Sequence, residues 1–377
     1  MSNTEQMIAE ATHPIYPRAT PETADGVAWV FYDKNTFAKY YYKLPEVGPT
    51  DVRIRALYAG LCHSDVMSGR EKWGSQLRPL CPGHEVAGEV VAVGKDVKSV
   101  KPGDSVLFGP TRDSCGDCSY CHEGETTLCP RTEGSEKFLY GRYFGGYASH
   151  QQQPESHCFK IPAGLNISNA APLMCAGVTV YSPMARHLKK GQRIAVLGVG
   201  GLGHLAVQYG VKMGLTVDAL MSGIKTDKKD YVKSLGVDQI HEWKTPGVLS
   251  SLKGTYDAII YTIPVSLPRD EMDALMQTMR PRGKMIIVGF PDIAEAMTLS
   301  FASQIVNEYS IIYSCVGGRK ITEEMLQFSA DHKIECLCEH FGWHEFPQAL
   351  DRLENGSPKF RCVVDMDQFT KDFAKKN

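Results

Sequence analysis

Apolar residues recur along this chain with two different spacings, and the change from one to the other divides it. From Val27 to about Val106 the apolar runs are short and often alternate with polar residues, as in Val52-Arg-Ile-Arg-Ala-Leu57 and Val86-Ala-Gly-Glu-Val-Val-Ala-Val93. Turn-forming residues break them, as at Lys101-Pro-Gly-Asp104. Such runs predict strands that pair mostly antiparallel in a compact barrel or sandwich. Residues 1–25 are polar and contain Pro14, Pro17 and Pro21, which predicts a loosely held arm.

After Pro172 the pattern changes. Strand-like runs at Arg193–Leu197, Leu215–Met221, Tyr256–Ile263, Lys284–Phe290 and Tyr309–Cys315 alternate with stretches of helical spacing that follow Leu202, Thr226, Arg269 and Phe301. Regular alternation of this kind predicts a parallel sheet covered on both faces. One further helix (Ile321–Ala330) and one strand (Phe360–Asp365) are too little for a third domain, so they are expected to return to the first. The expected division is 1–178 with 314–377, and 179–313 inserted between them. Ile194–Val211 is nearly uncharged, but five of its positions are glycine, so a strand, a turn and a helix start share a length that a membrane helix would need whole.

Composition narrows the classes. Hydrophobic residues make up 43% and charged residues 22%, an ordinary globular balance. Basic residues number 41 and acidic 43, a net charge of −2, so neither nucleic acid nor an anionic membrane is expected as a partner. The first residues, MSNTEQMIAEATHPIYP, resemble neither a secretory signal nor a transit peptide, and a cytoplasmic location is expected.

The chemistry lies in three clusters. Gly198-Val199-Gly200-Gly201-Leu202-Gly203 joins a buried strand to a helix, where glycines permit a tight turn, close approach of backbone to a pyrophosphate and close helix packing. No acid stands at the end of the next strand, near Met221-Ser222-Gly223, to bind ribose hydroxyls. Asp218 lies too early and is expected to serve a turn or cap neighbour, while Lys225, Lys228 and Lys229 follow as phosphate donors. NADP(H) is therefore expected over NAD(H).

The other two clusters are expected to bind metal. Twelve cysteines are present, and Cys115, Cys118, Cys121 and Cys129 are close enough to wrap one tetrahedral structural zinc. Disulfides suit a reducing compartment badly, and the long final gap suits an iron–sulfur cluster poorly. Cys62, His84 with Glu85, and Cys175 are spread out. Together they offer two thiolates and an imidazole, the donor set of a catalytic zinc with one position open.

These motifs resemble the zinc-containing medium-chain alcohol dehydrogenases. The match rests on Cys62-His-Ser-Asp65, Gly83-His-Glu85, the four-cysteine loop and the glycine turn. Tyr261-Thr-Ile-Pro264, Gly317-Gly-Arg-Lys320 and Thr322-Glu-Glu-Met-Leu326 are most similar to the cinnamyl alcohol dehydrogenase branch. The resemblance implies a β-rich GroES-like catalytic domain carrying two zincs, plus a Rossmann domain. It makes Cys62, His84 and Cys175 ligands of the catalytic zinc and Glu85 a nearby carboxylate that exchanges with water. Ser64 becomes the hydroxyl that bonds the substrate oxygen, and His63 faces the cofactor pyrophosphate. Ser222 replaces the ribose-binding acid, and Thr262 and Gly289 join the glycine loop as cofactor contacts.

Two positions depart from the branch: Met67 stands where a relay histidine is common, and Gly318 where a serine is usual. The first suggests that the proton leaves directly to water or through the cofactor ribose; the second removes a cofactor contact. The expected reaction is interconversion of primary alcohols, aromatic or medium-chain, with aldehydes. Reduction of conjugated C=C or C=N bonds, or a redox sensor without turnover, are the alternatives. Trp73, Leu77, Leu80 and Phe144 are candidate pocket residues, and the apolar strand at Tyr309–Val316 is expected to join a homodimer.

Overall fold

The computed structural model describes residues 3–130, 142–223, 226–291, 295–356 and 358–367. Two compact units emerge, one of residues 1–175 and 317–377, the other of 176–316. In the first unit lie strands β1 (Gly26–Phe31), β2 (Phe37–Tyr42), β3 (Asp51–Leu61), β4 (Val86–Val93), β5 (Ser105–Phe108), β6 (His150–Pro154) and β7 (Phe159–Lys160). The second holds β8 (Arg193–Leu197), β9 (Thr216–Met221), β10 (Gln239–Glu242), β11 (Tyr256–Tyr261), β12 (Met279–Ile287) and β13 (Ser310–Tyr313). The chain then returns to the first with β14 (Cys338–Gly342) and β15 (Arg361–Asp365).

Helices α1 (Asn3–Glu10), α2 (His63–Gly69), α3 (Ser119–His122) and α4 (Ile167–Ala170) belong to the first unit. The second contains α5 (Ala176–His187), α6 (Gly203–Lys212), α7 (Thr226–Ser234), α8 (Val248–Ser251), α9 (Arg269–Met276) and α10 (Phe301–Asn307), and α11 (Arg319–His332) and α12 (Phe346–Glu354) follow in the returning segment. None of these helices is long and apolar enough to cross a membrane.

The first unit is the GroES-like, β-rich part. Its main sheet runs β14-β15-β3-β4-β5-β7, with β6 also on β3. Along β3 the alternation seen in the sequence becomes geometry: Val52, Ile54 and Ala56 are fully buried while Arg53 and Arg55 are not. Strand β15 pairs antiparallel with β3, Cys362 opposite Leu61, so this late strand lies beside the residues that precede Cys62. The second unit is Rossmann-like. Its parallel sheet has the order β10-β9-β8-β11-β12-β13, which reverses between β8 and β11. Strand β8 has four consecutive buried residues, as expected where both sheet faces are covered.

Several expectations are corrected. The amino-terminal arm is not loose throughout: Tyr16 is fully buried and stacks on Phe144 with ring centroids 4.3 Å apart. Phe144 is thus core and no pocket wall, and Leu80 packs with Phe31, Val66 and Leu350 in a small core of its own; Leu77 is exposed. Strand β10 was not foreseen, because Gln239-Ile-His-Glu242 is a half-exposed edge without an apolar run. Asp218 serves no turn or cap. It is buried and accepts hydrogen bonds from Arg193 on β8 (2.8 Å) and from the Tyr256 hydroxyl on β11 (3.0 Å).

Three histidines make the first unit sensitive to acid. Burial lowers His13, His150 and His157 to about 4 each, so all three are neutral in the folded chain at neutral pH. His13 Nδ1 accepts from the backbone N–H of Ile15 and of Tyr16. In the unfolded chain they take up protons near pH 6.5, so the stability they contribute is complete above that value and is lost as pH falls towards 4. Denaturant unfolding at about pH 5 should show a loss of roughly 1–2 kcal/mol per histidine relative to neutral pH. A His13→Asn chain should lose correspondingly less; an equal loss in both chains would remove His13 from the account.

Candidate active site and metal centres

Asp65 organises the first cluster. It sits at the third position of α2, fully buried, and its Oδ2 accepts from the Cys62 backbone N–H (2.9 Å) and the Tyr147 hydroxyl (2.9 Å). Its Oδ1 accepts from the Gly83 N–H (2.9 Å) and lies 2.8 Å from His84 Nδ1. One carboxylate therefore fixes the turn that carries Cys62 and orients the His84 ring. With Nδ1 engaged by Asp65, His84 Nε2 is the ring nitrogen turned to the cysteines, and it lies 3.3 Å from Cys175 Sγ. Tetrahedral zinc would separate such a nitrogen and sulfur by about 3.5 Å.

Ligand atoms of Cys62, His84, Glu85 and Cys175 all lie within 4.8 Å of one another. Glu85 is fully buried and bonded through Oε1 to the Arg361 guanidinium, while its Oε2 has no hydrogen-bond partner. An unpartnered, buried carboxylate oxygen among two sulfurs and an imidazole is a donor set suited to a divalent soft-to-borderline cation. Gly60 makes room for it, since a Cβ there would sit 2.2 Å from Oε2.

The protonation pattern agrees with that fit. Cys62 lies well below the usual thiol range because Cys175 hydrogen-bonds to it, with Arg361 and His84 adding positive charge, and Cys175 is held high in return. Burial pushes Glu85 up to about 8 against the pull of Arg361. Burial alone would lower His84, but the Asp65 carboxylate overrides it and raises it well above its ordinary value. A cation displaces protons from all of these groups.

The second cluster is tighter. Cys118 Sγ lies 3.5 Å from Cys121 Sγ and 3.9 Å from Cys129 Sγ, and Cys115 Sγ is 3.9 Å from Cys121 Sγ. Zinc–sulfur bonds of about 2.3 Å in a tetrahedron require sulfurs about 3.8 Å apart. Four thiolates leave no open position, so this centre is structural.

Ser64 Oγ lies 3.6 Å from Cys62 Sγ, beside the first cluster; His63 is exposed and Met67 half-buried. Gly318 has a packing reason: a Cβ there would sit 2.1 Å from the Gly124 carbonyl oxygen of the four-cysteine segment, so a serine would clash.

In the second unit, Gly198, Val199, Gly200, Gly201, Leu202 and Gly203 follow β8 at the point where the strand order reverses. In open α/β sheets ligands bind outside the carboxyl ends of strands at such a point. Gly198 has φ +85°, a Cβ at Gly203 would meet the Gly198 oxygen at 2.0 Å, and a Cβ at Gly200 would project into open space. Thr262, after β11, donates its hydroxyl to the carbonyls of Leu197 (2.9 Å) and Gly198 (2.6 Å), and so holds the turn. A Cβ on Gly289 would press on the Ile263 oxygen at 2.1 Å. Ser222 is exposed just past β9, and Lys225 lies outside the described residues. Sequence reasoning missed Glu242, which ends β10 and accepts from the Gly223 N–H (3.2 Å).

It also gave no role to Asp65, Tyr147 or Arg361. Asp65 was detectable as an acid at the third helical position, reaching back to cap the helix. Arg361 gave no local signal, being 276 residues from Glu85.

Comparison with known proteins follows the same lines. Residues 48–163 match the alcohol dehydrogenase GroES-like domain and 201–331 the zinc-binding dehydrogenase family. The chain is 36% identical to a probable formaldehyde dehydrogenase, AdhA, of Bacillus subtilis, over 84% of its own length and 90% of the relative's. It is also 36% identical to cinnamyl alcohol dehydrogenase 7 of Arabidopsis thaliana, over 85% and 89%. Among solved structures, a cinnamyl alcohol dehydrogenase of Sorghum bicolor superposes with a TM-score of 0.83 at 29% identity, covering 90% of this chain and 97% of that one. The Helicobacter pylori CAD complexed with NADP(H) gives 0.82 at 32% identity, covering 91% and 98%.

Proposed function

The chain belongs to the zinc-type medium-chain alcohol dehydrogenases, zinc-dependent oxidoreductases that interconvert alcohols and aldehydes by hydride transfer, and within them we propose an NADP(H)-linked enzyme for primary aromatic or medium-chain alcohols. The observation that carries the reading is the convergence of Cys62, His84 and Cys175, with His84 fixed by Asp65 and Glu85 drawn to Arg361.

Zinc held by Cys62, His84 and Cys175 supplies Lewis acidity towards an alcohol or carbonyl oxygen, and the nicotinamide supplies or accepts the hydride. Glu85, tethered by Arg361, keeps Oε2 in reserve as an exchanging ligand. Ser64 Oγ accepts the hydroxyl proton of an alcohol, or returns it to the product of aldehyde reduction. Met67 has a thioether and cannot carry that proton on, so it leaves Ser64 for water. Cys115, Cys118, Cys121 and Cys129 hold the second zinc, which ties down their own segment.

Selectivity for NADP(H) rests on Ser222, an exposed hydroxyl where NAD-specific sites place an acid, followed by Lys225, Lys228 and Lys229. Asp218 is engaged with Arg193, and Glu242 with the Gly223 N–H. The relative solved with NADP(H) supports this reading. Cinnamaldehyde reduction should be at least about tenfold more efficient, as kcat/KM, with NADPH than with NADH, and should yield the alcohol. Preference for NADH would reassign Glu242 as the ribose acid, and a saturated aldehyde as product would replace carbonyl reduction by C=C reduction.

A homodimer through β13 is part of the same proposal. This strand ends the six-stranded sheet, and Phe301, Ile305, Val306 and Tyr313 around it are 69–82% exposed, more than a lone apolar edge tolerates. Light scattering should give twice the chain mass of 41.7 kDa, and Ile305→Glu with Val306→Glu should return it to one chain. A native chain of single mass at micromolar concentration would refute the dimer. A reducing cytosolic setting suits a protein whose cysteines form no disulfide.

A further inference from the structure

Six of the twelve cysteines belong to the two metal clusters, and the rest include a pair two residues apart that neither cluster uses. Cys336-Leu337-Cys338 joins α11 to β14 within the first unit. Cys338 Sγ turns back along the chain and donates to the Cys336 carbonyl at 3.5 Å, and the two thiols hydrogen-bond each other. Cys336 is buried and Cys338 half-buried, so one sulfur is screened while the other is open to a small reagent. Burial and the Cys338 thiol hold Cys336 well above the usual thiol range, so Cys336 keeps its proton until a partner sulfur is activated.

The same segment anchors a residue of the first metal cluster's surroundings. The Arg361 N–H donates to the Leu337 carbonyl at 3.2 Å, and Cys338 stands opposite Arg361 where β14 and β15 begin. The Arg361 guanidinium in turn holds Glu85. A disulfide keeps its Cα atoms about 5.5–6 Å apart, less than the roughly 7 Å that an extended chain spans over two residues. Closing a ring across one residue therefore requires a bend at Leu337, whose carbonyl is the acceptor for Arg361. So small a ring is strained, and strained disulfides are the readily reduced ones.

We infer that Cys336 and Cys338 are a modification site, a dithiol that hydrogen peroxide converts reversibly into a Cys336–Cys338 disulfide, and that this disulfide loosens the hold of Arg361 on Glu85. The more open sulfur, Cys338, attacks one peroxide oxygen; the O–O bond breaks, and the leaving hydroxide takes the thiol proton as water. The product is a sulfenic acid. Cys336 sulfur then attacks that sulfur, the S–S bond forms and the S–O bond breaks, and the Cys336 proton leaves with the hydroxyl as a second water. Two thiols thus lose two electrons and two protons, and one peroxide becomes two waters. A small oxidant suits the site, since Cys336 admits nothing larger. Cys362 is no competing partner: it stands opposite Glu339 and packs in the core of the first unit.

The test treats the zinc-loaded chain with a small excess of hydrogen peroxide, quenches it with an alkylating reagent and maps its peptides without reduction. The tryptic peptide 334–352 carries both cysteines and no other. It should come out two hydrogens lighter and unalkylated, and dithiothreitol should restore the alkylated form. A Cys336→Ser chain should instead accumulate a sulfenic acid on Cys338, which dimedone traps. The oxidised native chain should lose kcat/KM several-fold with its metal content unchanged and recover with dithiothreitol. A Cys338→Ala chain, equal to the native one before treatment, should keep its rate. The peptide mapping involves no turnover, so it separates this site from the assignment of the reaction, on which only the rate effect rests. Two alkylated cysteines in that peptide, a Cys338–Cys362 link, or equal inactivation of the native and Cys338→Ala chains overturns the proposal.

Discussion

Replacing Cys175 with serine is expected to lower kcat/KM for aldehyde reduction at least about 1000-fold and to leave one tightly bound zinc where two are expected in the native chain. The serine oxygen is a poor substitute for a thiolate, and Cys175 Sγ lies 3.3 Å from His84 Nε2. Cys175 begins no element and lies just ahead of α5, so its loss leaves both sheets intact. The melting temperature should change far less than the activity. Metal analysis and initial rates on the same preparation decide the matter: two retained zincs with low activity would place Cys175 outside the metal site.

The second large effect belongs to a residue that touches no metal. Asp65→Asn keeps the shape of the side chain but removes its charge and one acceptor oxygen. Four groups depend on that carboxylate: the N–H of Cys62, the N–H of Gly83, the Tyr147 hydroxyl and His84 Nδ1. Zinc affinity at the first cluster should fall roughly 10- to 100-fold, the usual consequence of losing the partner that orients a ligating histidine. Chelator competition measures it, and excess zinc should restore part of the rate. Asp65→Ala should in addition destabilise the fold by roughly 3 kcal/mol or more, through buried donors left without acceptors. Unchanged chelator resistance in Asp65→Asn would mean that the ring is oriented by something else.

The contrast between Cys115–Cys129 and Glu85–Arg361 shows what could be read from the chain. The four cysteines are separated only by turns and one-turn helices such as α3, so spacing alone brings their sulfurs within reach of one ion. Alternation along β3 and the glycine turn after β8 were equally legible, because each is set by residues a few positions apart. Cys62, His84 and Cys175 could be grouped only through their motifs, as no local spacing joins them. Arg361 reaches Glu85 because β15 pairs with β3, a pairing of strands far apart in sequence that periodicity does not encode. Tyr16 was misjudged for a related reason. Three prolines suggested a loose arm, but the partners that bury it, Tyr42 and Phe144, lie far along the chain. Strand β10 and Glu242 escaped notice because a half-exposed edge strand needs no apolar run.

Anomalous diffraction at the zinc edge from crystals of the purified, zinc-replete chain tests the central claim most directly. Two peaks are expected: one within bonding distance of Cys62 Sγ, His84 Nε2 and Cys175 Sγ, the other enclosed by the four cysteines from Cys115 to Cys129. A single peak in the four-cysteine loop, with the Cys62–His84–Cys175 cluster empty at saturating zinc, would contradict the account.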